Sequence, residues 1–227
     1  MTERRLAGLD RKVLVRLLAA PIAIAALLFV PAGTLDYWQA WLYCAVIFVP
    51  LLFVVAYLHK RDPGLLERRM KLKEKQRKQG TLVLLASAVF LIGFILPGLD
   101  QRFHWTTVPP EVSIAANAVV LLGYLLNALV LKENSYASRV IEVVKKQKTV
   151  TTGPYAVVRH PMYTAMLVMF LATPIALGSY AALVAFLPLP FLLAARAKDE
   201  EELLARKLAG YKAYCRKTRY RLVPYVW

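Results

Sequence analysis

Two short segments combine charges, aromatic rings and helix breakers in a way that membrane anchoring alone does not require. The first, residues 153–164, reads GPYAVVRHPMYT. Pro161 suits the first turn of a helix, and the free N–H groups of that turn, together with Arg159 and His160, suit a carboxylate or another anion. The alternative is that these residues only end a membrane span, with the nearby tyrosines as interfacial anchors.

The second segment, residues 196–204, reads RAKDEEELL and places four consecutive acids directly after an apolar stretch. Acids are unfavourable near a helix C-terminus. The placement therefore indicates either that they hold a cationic group or that a new helix begins near Asp199. In a new helix the same acids would lie in the first turn, where they are favourable. Both interpretations stay open from the residues alone.

The elements that must position these segments are mostly apolar helices. Of the 227 residues, 59% are hydrophobic, which is more than a soluble domain of this size carries. Apolar runs at 13–33, 39–58, 81–98 and 112–131 are each close to the roughly 20 residues that a helix needs to cross a bilayer. The first run has no clear cleavage site, so we expect a retained helix rather than a signal peptide.

A longer apolar stretch covers residues 162–195. As one helix it would be about 51 Å long, far beyond a bilayer core of about 30 Å, so it must break. Gly178 and Ser179, shortly after Pro174, predict a tight hairpin at that point. The expected fold is an all-α, polytopic integral membrane protein with four membrane-spanning helices plus a C-terminal helical hairpin, five to six segments in all. Whether the hairpin crosses fully or re-enters stays open.

The formal charge of +16 follows this topology. Every Lys and Arg except Arg102 lies in segments 1–16, 59–80, 132–160 or 196–227, which alternate with apolar pairs. An even number of crossings between them puts all four segments on one side, which the positive-inside rule makes cytoplasmic. We therefore expect both termini and the functional pocket in the cytoplasm. The charge then reflects topology and attraction to anionic lipid, and we expect no nucleic-acid partner.

The remaining segments predict smaller elements. Asp62 and Pro63 would begin an interfacial amphipathic helix, although a basic linker is the alternative. Its apolar side chains would dip into the acyl boundary and its basic ones would reach the head groups: Leu65, Leu66, Met70 and Leu72, and Arg68, Arg69, Lys71 and Lys73. The chain would form one domain, 1–227, with an N-terminal hairpin over 1–60, the interfacial helix over 61–80, and a core over 81–227 whose C-terminal half binds the ligand.

The tail after Ala195 also carries a pattern. Leu204, Leu208, Tyr211 and Cys215 recur at helical spacing, which predicts one cytoplasmic amphipathic helix. The closing RYRLVPYVW predicts a segment that docks back on the protein or the membrane. The three histidines and two cysteines are scattered, so we expect neither a metal site nor a disulfide.

Taken together, these motifs resemble a known family. GPYAVVRHPMYT, then a hydrophobic hairpin, EEELL, GYKAY and a closing RLVP are similar to the isoprenylcysteine carboxyl methyltransferases and their bacterial relatives, which are related to phospholipid methyltransferases. DPGLLERRMK is similar to a segment common among bacterial members. The resemblance covers roughly residues 60–72 and 134–227. It implies a membrane enzyme, in a bacterial inner membrane, that binds S-adenosylmethionine in a cytoplasmic pocket.

The resemblance also implies site residues. Arg196 and Glu201 or Glu202 match the family's functional Arg and Glu, and the spacing to Gly210 favours these two acids over Glu200. The residues that would bind the cofactor are Tyr155, Arg159, His160, Pro161, Tyr163, Tyr211 and Tyr214. No two glycines are spaced as G-x-G, so a soluble-type Rossmann methyltransferase site is not expected.

The reaction implied is methyl transfer to a lipophilic small molecule or a lipidated substrate that approaches from the membrane lipid. A carboxylate acceptor needs no base, and Arg196 would orient it. An amine acceptor must lose a proton, which gives Glu201, Glu202 or His160 a general-base role. The alternatives are a phospholipid amine N-methyltransferase, an NADPH-dependent reductase of sterol-like substrates, and a non-catalytic membrane scaffold. The sequence leaves the acceptor and the oligomeric state open.

Overall fold

The computed structural model describes residues 3–71 and 77–227, and within these ranges it contains helices and no strand. Its helices follow one another without large insertions, except for a loop between the fifth and sixth. In chain order they are α1 (Glu3–Ala32), α2 (Trp38–Arg61), α3 (Pro63–Arg69), α4 (Arg77–Phe103), α5 (Pro110–Glu133), a 3₁₀ turn at Gly153–Ala156, α6 (Pro161–Ala176), α7 (Leu183–Phe186), α8 (Leu189–Lys207) and α9 (Tyr211–Lys217).

Four helices are long and apolar enough to cross a membrane, which confirms the predicted spans. They cover Gly8–Ala32, Trp38–Arg61, Gln79–Phe103 and Pro110–Glu133. Each leaves large apolar side chains exposed, such as Ile22, Phe53, Leu84 and Leu122. In water this exposure would be unfavourable, but hydrocarbon is the matching solvent for it. The protein is therefore a polytopic helical membrane protein.

The C-terminal hairpin breaks where the sequence predicts, but its second half differs from the expectation. α6 ends at Ala176, and Gly178 takes a φ of +77°, which a residue with a side chain rarely adopts. α7 has a single turn, and α8 then runs without interruption through all four acids. The alternative of a new helix beginning near Asp199 is therefore wrong, because nothing between Leu189 and Lys207 stops a helix.

The tail likewise forms two helices instead of the predicted single amphipathic one. Leu208 is extended and Gly210 has a φ of +79°, so the chain turns between α8 and α9. The predicted apolar face nevertheless comes together, because Leu204, Leu208 and Tyr211 pack in one cluster with Tyr214 and Cys215. The helical spacing thus predicted which side chains meet, but it did not predict the turn at Gly210 that separates the two helices.

α3 begins as predicted but faces the protein. The Asp62 carboxylate accepts a hydrogen bond from the N–H of Leu65 at 2.8 Å, and Pro63 opens the helix. Leu65 and Leu66 are 0% and 2% exposed in a cluster with Leu9 and other core residues, so their predicted contact with acyl chains is wrong. Leu72 and Lys73, also predicted for this helix, lie outside the described residues.

Close helix packing and polar caps hold α6 in place. Gly123 of α5 lets the backbone of Met169 approach, since an added Cβ would lie 3.0 Å from its nitrogen. At the end of α6, the Ala176 carbonyl accepts hydrogen bonds from Ser113 Oγ at 2.8 Å and Asn117 Nδ2 at 3.0 Å. The orphan carbonyls at this helix end are thereby satisfied inside an apolar environment.

Gly98 is the matching contact between α4 and α1, and its replacement tests the packing. A Cβ there would collide with the Leu28 carbonyl oxygen and lie 3.1 Å from the Ala32 nitrogen. We expect Gly98→Ala to lower the free energy of unfolding by about 2 kcal/mol through overpacking, measured by denaturation in mixed micelles.

The matched control lies in the same helix. Gly80→Ala places its Cβ where nothing lies within 4 Å, so it should leave stability unchanged or slightly raised. Equal effects of the two substitutions would contradict the close α1–α4 contact.

Candidate functional site

The segment before α6 is paired with the end of the chain. The backbone N–H groups of Arg159 and His160 donate to the carbonyls of Tyr220 and Arg221, both at 2.9 Å. Thr164 Oγ1 also donates to the chain's closing segment, and Leu222 there is 3% exposed. The predicted docking of RYRLVPYVW is confirmed. Because those two amides are already bonded, they are not available to an anion.

Glu201 joins two arginine side chains and one histidine side chain from two distant segments. Its Oε1 lies 3.0 Å from Arg159 Nε and 3.3 Å from His160 Nε2, and its Oε2 lies 2.9 Å from Arg221 Nε. Burial would raise the pKa of this carboxyl, but the hydrogen bonds from His160 and Arg221 and the charge of Arg159 outweigh burial and lower the pKa. Glu201 is therefore held as a carboxylate.

The neighbouring acids divide between the two sides of α8. Glu200 accepts a hydrogen bond from Tyr163 OH at 2.7 Å and lies 3.7 Å from His160 Nδ1. The Glu202 side chain is 67% exposed and pairs with Arg206 in the same helix. A helix turns about 100° per residue, so consecutive acids cannot all face one site. The structure thus brings Glu200 and Glu201 to the cluster and leaves Glu202 outside it.

Arg196 is held from three directions. Its Nε donates to Tyr163 OH at 3.2 Å, its Nη1 to Gln79 Oε1 at 3.1 Å, and its Nη2 to the Arg139 carbonyl at 2.8 Å. Gln79 also donates to Asp199 Oδ2 at 2.6 Å and is completely buried. Sequence reasoning missed Gln79, although a polar amide at the edge of an apolar span is itself a signal of a buried role.

A cavity of about 610 Å³ lies next to Arg196 and the segment before α6, and its volume is typical of cofactor sites. Its polar wall contains Arg196 and all of the residues predicted to bind the cofactor: Tyr155, Arg159, His160, Pro161, Tyr163, Tyr211 and Tyr214. Glu201 and Glu202 do not line it, whereas Glu200 does. The wall continues into an apolar region formed by residues such as Val54, Val83, Phe90, Phe170 and Leu192.

Three polar atoms in the cavity wall are buried without a hydrogen-bond partner in the described residues. They are Arg159 Nε, Tyr211 OH and Asn127 Oδ1. Arg159 Nε is near Glu201, but its N–H is not aligned with the oxygen. Since buried polar groups are nearly always bonded, their location in one cavity points to a polar ligand. Asn127, inside an apolar span, is a second residue that sequence reasoning missed.

The tyrosines of the wall differ in their hydrogen bonding. Burial raises the pKa of Tyr155 to about 12, and its OH accepts a hydrogen bond from Asn134 Nδ2 at 2.7 Å. Tyr214 OH donates to the Tyr155 carbonyl at 2.7 Å. Burial, and then the charge of Glu201, raise the pKa of Tyr211, so its hydroxyl keeps its proton. That hydroxyl has no hydrogen-bond partner among the described residues.

Within residues 3–71 and 77–227, no group of three or more His, Cys, Asp or Glu could hold a metal ion.

Comparison with known proteins finds similarities, one to a family and one to a single protein. The sequence model of the phospholipid methyltransferase family matches residues 112–210, which include Arg159, His160 and Arg196. The chain is also 32% identical over 84 residues to the Delta(14)-sterol reductase TM7SF2 of Mus musculus, a match that covers 36% of this chain and 20% of that protein. The chain thus spans about a fifth of the length of that relative. Residues 112–210, which supply part of the cavity wall, are thus similar to phospholipid methyltransferases.

Glu201 connects α8 to the segment before α6 and to the end of the chain, and we call these contacts the Glu201 joint. Loss of the joint should reduce the order of both connected segments. Glu201→Gln removes the charge that Arg159, His160 and Arg221 share, and we expect amide exchange of residues 159, 160 and 220–223 to accelerate roughly tenfold or more at neutral pH. Because the pKa of Glu201 is lowered, its stabilisation is full above the ordinary glutamate pKa and is lost as pH falls through the lowered one. The difference from the wild type should therefore shrink in acid.

Glu202→Gln is the control, since it removes the same charge one residue further along the helix from an exposed side chain. It should leave exchange in these segments unchanged. Equal acceleration in both variants would refute the joint.

Proposed function

We propose that this protein transfers a methyl group from S-adenosylmethionine to a lipophilic acceptor at one face of the membrane. The observation that carries the proposal is a single cavity whose polar wall has unpaired hydrogen-bonding groups and whose other wall is apolar. The match of residues 112–210 to phospholipid methyltransferases supports the same reaction class. One cavity with both surfaces suits a polar donor beside a lipid-like acceptor.

The residues present fit the cofactor's chemistry. Its carboxylate would bind Arg159 and His160 through their side chains, whose guanidinium and ring N–H groups can donate charge-assisted hydrogen bonds. Adenine and the sulfonium would pack against the tyrosine rings of the wall, which attract cations through their faces. Glu200, which lines the cavity, would face the ammonium group. When bound, the cofactor supplies an electrophilic methyl group.

The protein's own contribution is alignment and exclusion of water. Methyl transfer forms a bond from the acceptor atom to the methyl carbon and breaks the carbon–sulfur bond, whose electron pair stays on sulfur. For a carboxylate acceptor no proton moves, and Arg196 would orient the acceptor. For an amine acceptor a proton must leave. Arg159, His160 and Arg221 surround the Glu201 carboxylate and lower its pKa, which makes Glu201 a poor base. Glu200, or His160 in its neutral form, would accept that proton.

The location of the site also belongs to this proposal. The basic segments favour a cytoplasmic location for the cavity's polar wall. The bacterial inner membrane is part of the same proposal and rests on the resemblance to bacterial methyltransferases. The acceptor would approach from the membrane lipid. Residues 1–227 would act as one domain, in which α1 and α2 complete the membrane-embedded wall.

A second candidate is reduction of a sterol-like substrate with NADPH. The similarity to the Delta(14)-sterol reductase TM7SF2 favours it, and the same cavity would then hold an adenine dinucleotide. The two functions differ in the cofactor that binds, so a single assay separates them.

Purified protein in neutral micelles should bind S-adenosylmethionine and not NADPH in a calorimetric titration. Incubation with methyl-labelled cofactor and membrane lipid extract should then label a lipid, identified by mass. Binding of NADPH without S-adenosylmethionine would replace the first candidate by the second. Binding of neither would exclude both and favour a non-catalytic membrane role.

Tyr211 gives a sharper test, because its hydroxyl has no hydrogen-bond partner among the described residues before a ligand binds. Tyr211→Phe should leave thermal stability unchanged or slightly raised, since it removes a buried unsatisfied group. The same variant should bind S-adenosylmethionine roughly tenfold more weakly, the effect of one lost hydrogen bond to a charged ligand.

Tyr214→Phe is the matched control from the same helix. Its hydroxyl bonds the Tyr155 carbonyl, so its loss should reduce stability by about 1 kcal/mol. Unchanged cofactor affinity in Tyr211→Phe would remove Tyr211 from the binding site.

A further inference from the structure

The cavity has a second cationic region that the proposed cofactor contacts do not use. Arg69 of α3 and Arg139 of the loop after α5 line the cavity together with Arg196. Burial lowers the pKa of Arg69, and the charges of Arg139 and Arg196 lower it further. We call these three residues the arginine triad. The sequence predicts that the Arg69 side chain reaches lipid head groups, whereas in the structure it lines the cavity.

Arg69 has no acidic partner in the part of the chain that the structure describes. Its Nη1 has two long contacts, to the Ser138 carbonyl and to Met162 Sδ, both at 3.4 Å. No described carboxylate lies within ion-pair distance of its guanidinium. Removing a cation from water without a counter-charge is unfavourable. An anion that enters the cavity can supply that charge with a bidentate pair of hydrogen bonds.

The charged side chains that line the cavity also favour an anionic ligand. Arg159 is paired with Glu201, but the other cationic lining residues still outnumber the acids Glu142 and Glu200: they are Arg16, Arg69, Arg139, Lys148 and Arg196. Both acids have other partners, because Glu142 contacts Lys71 and Glu200 accepts from Tyr163. S-adenosylmethionine adds net positive charge, since its sulfonium and ammonium outweigh its carboxylate. A second ligand with negative charge is therefore favoured, and an amine without an anionic group is disfavoured.

We propose that the arginine triad binds the anionic head group, a carboxylate or a phosphate, of an amphiphilic acceptor. The apolar wall that includes Val83 and Phe90 then holds its chain. This inference rests on the proposed function for the identity of the ligand as methyl acceptor. Binding of the anion itself does not require the cofactor, so the two can fail separately.

The test uses the full-length protein in nonionic micelles, without cofactor. Dodecyl phosphate, dodecanoate, dodecanol and dodecylamine share one chain and differ in head group, and protein-free micelles serve as the calorimetric blank. Both anions should bind roughly tenfold or more tightly than the alcohol and the amine, as expected for charge-assisted hydrogen bonds. The ratio between the two anions identifies the preferred head group. Equal binding of all four amphiphiles would overturn the proposal.

Inorganic phosphate separates a lipid head group from a free anion. It should bind far more weakly than dodecyl phosphate, because it lacks the chain that the apolar wall holds. If it binds as tightly, the site takes a soluble anion and the amphiphilic acceptor is wrong.

Arg69→Gln should abolish the preference for anions while keeping the affinity for dodecanol. Arg61→Gln is the charge-matched control, since Arg61 is exposed and does not line the cavity. If Arg69→Gln unfolds at a lower temperature than the control, Arg69→Lys replaces it and should keep only part of the preference, because lysine lacks the bidentate fork. An unchanged preference in the Arg69 variants, or an equal loss in Arg61→Gln, would refute the triad.

Titration of the same samples with S-adenosylmethionine distinguishes the two failures. Loss of the anion preference with intact cofactor binding would reject the triad alone. An Arg69-dependent preference in a protein that does not bind the cofactor would reject methyl transfer and keep the anion subsite.

Discussion

The Glu201 carboxylate is the contact on which the rest of the site depends. From α8 it contacts Arg159 and His160 in the segment before α6, and Arg221 in the segment that ends the chain. Removing one partner would leave buried charges uncompensated, so the three segments are ordered together. The cavity's polar wall includes Arg159 and His160 from the segment before α6 and Arg196 and Glu200 from α8, so the Glu201 contacts fix part of its geometry.

Membrane packing supplies the second constraint. Gly98 and Gly123 allow the backbones of neighbouring helices to approach closely, and Ser113 and Asn117 cap the far end of α6 inside the bilayer. α6 is thereby fixed at both ends, by Glu201 on one side and by these caps on the other. The cavity beside this helix passes from charged side chains, such as Arg159, to apolar ones, such as Phe170.

This polarity gradient links structure to the proposed chemistry. A polar methyl donor and a lipid-like acceptor have opposite solvent preferences, and a cavity with two kinds of wall can hold both next to each other. Among the described residues, Tyr211 OH and Asn127 Oδ1 have no hydrogen-bond partner and Arg69 has no carboxylate partner, and both situations are unfavourable in the free protein. Ligands that satisfy them would gain the corresponding free energy on binding.

The sequence alone determined the features that depend on local length, hydropathy and turn chemistry. These are the four spans, the break at Gly178, the cap at Asp62 and the clustering of the tail's apolar face. Tertiary structure decided which acids face the cavity, because a shift of one residue turns a helix side chain by about 100° and Glu200, Glu201 and Glu202 look alike in sequence. It also decided the burial of Leu65 and the partnership of Gln79 with Arg196, since contacts between distant helices leave no local pattern to read.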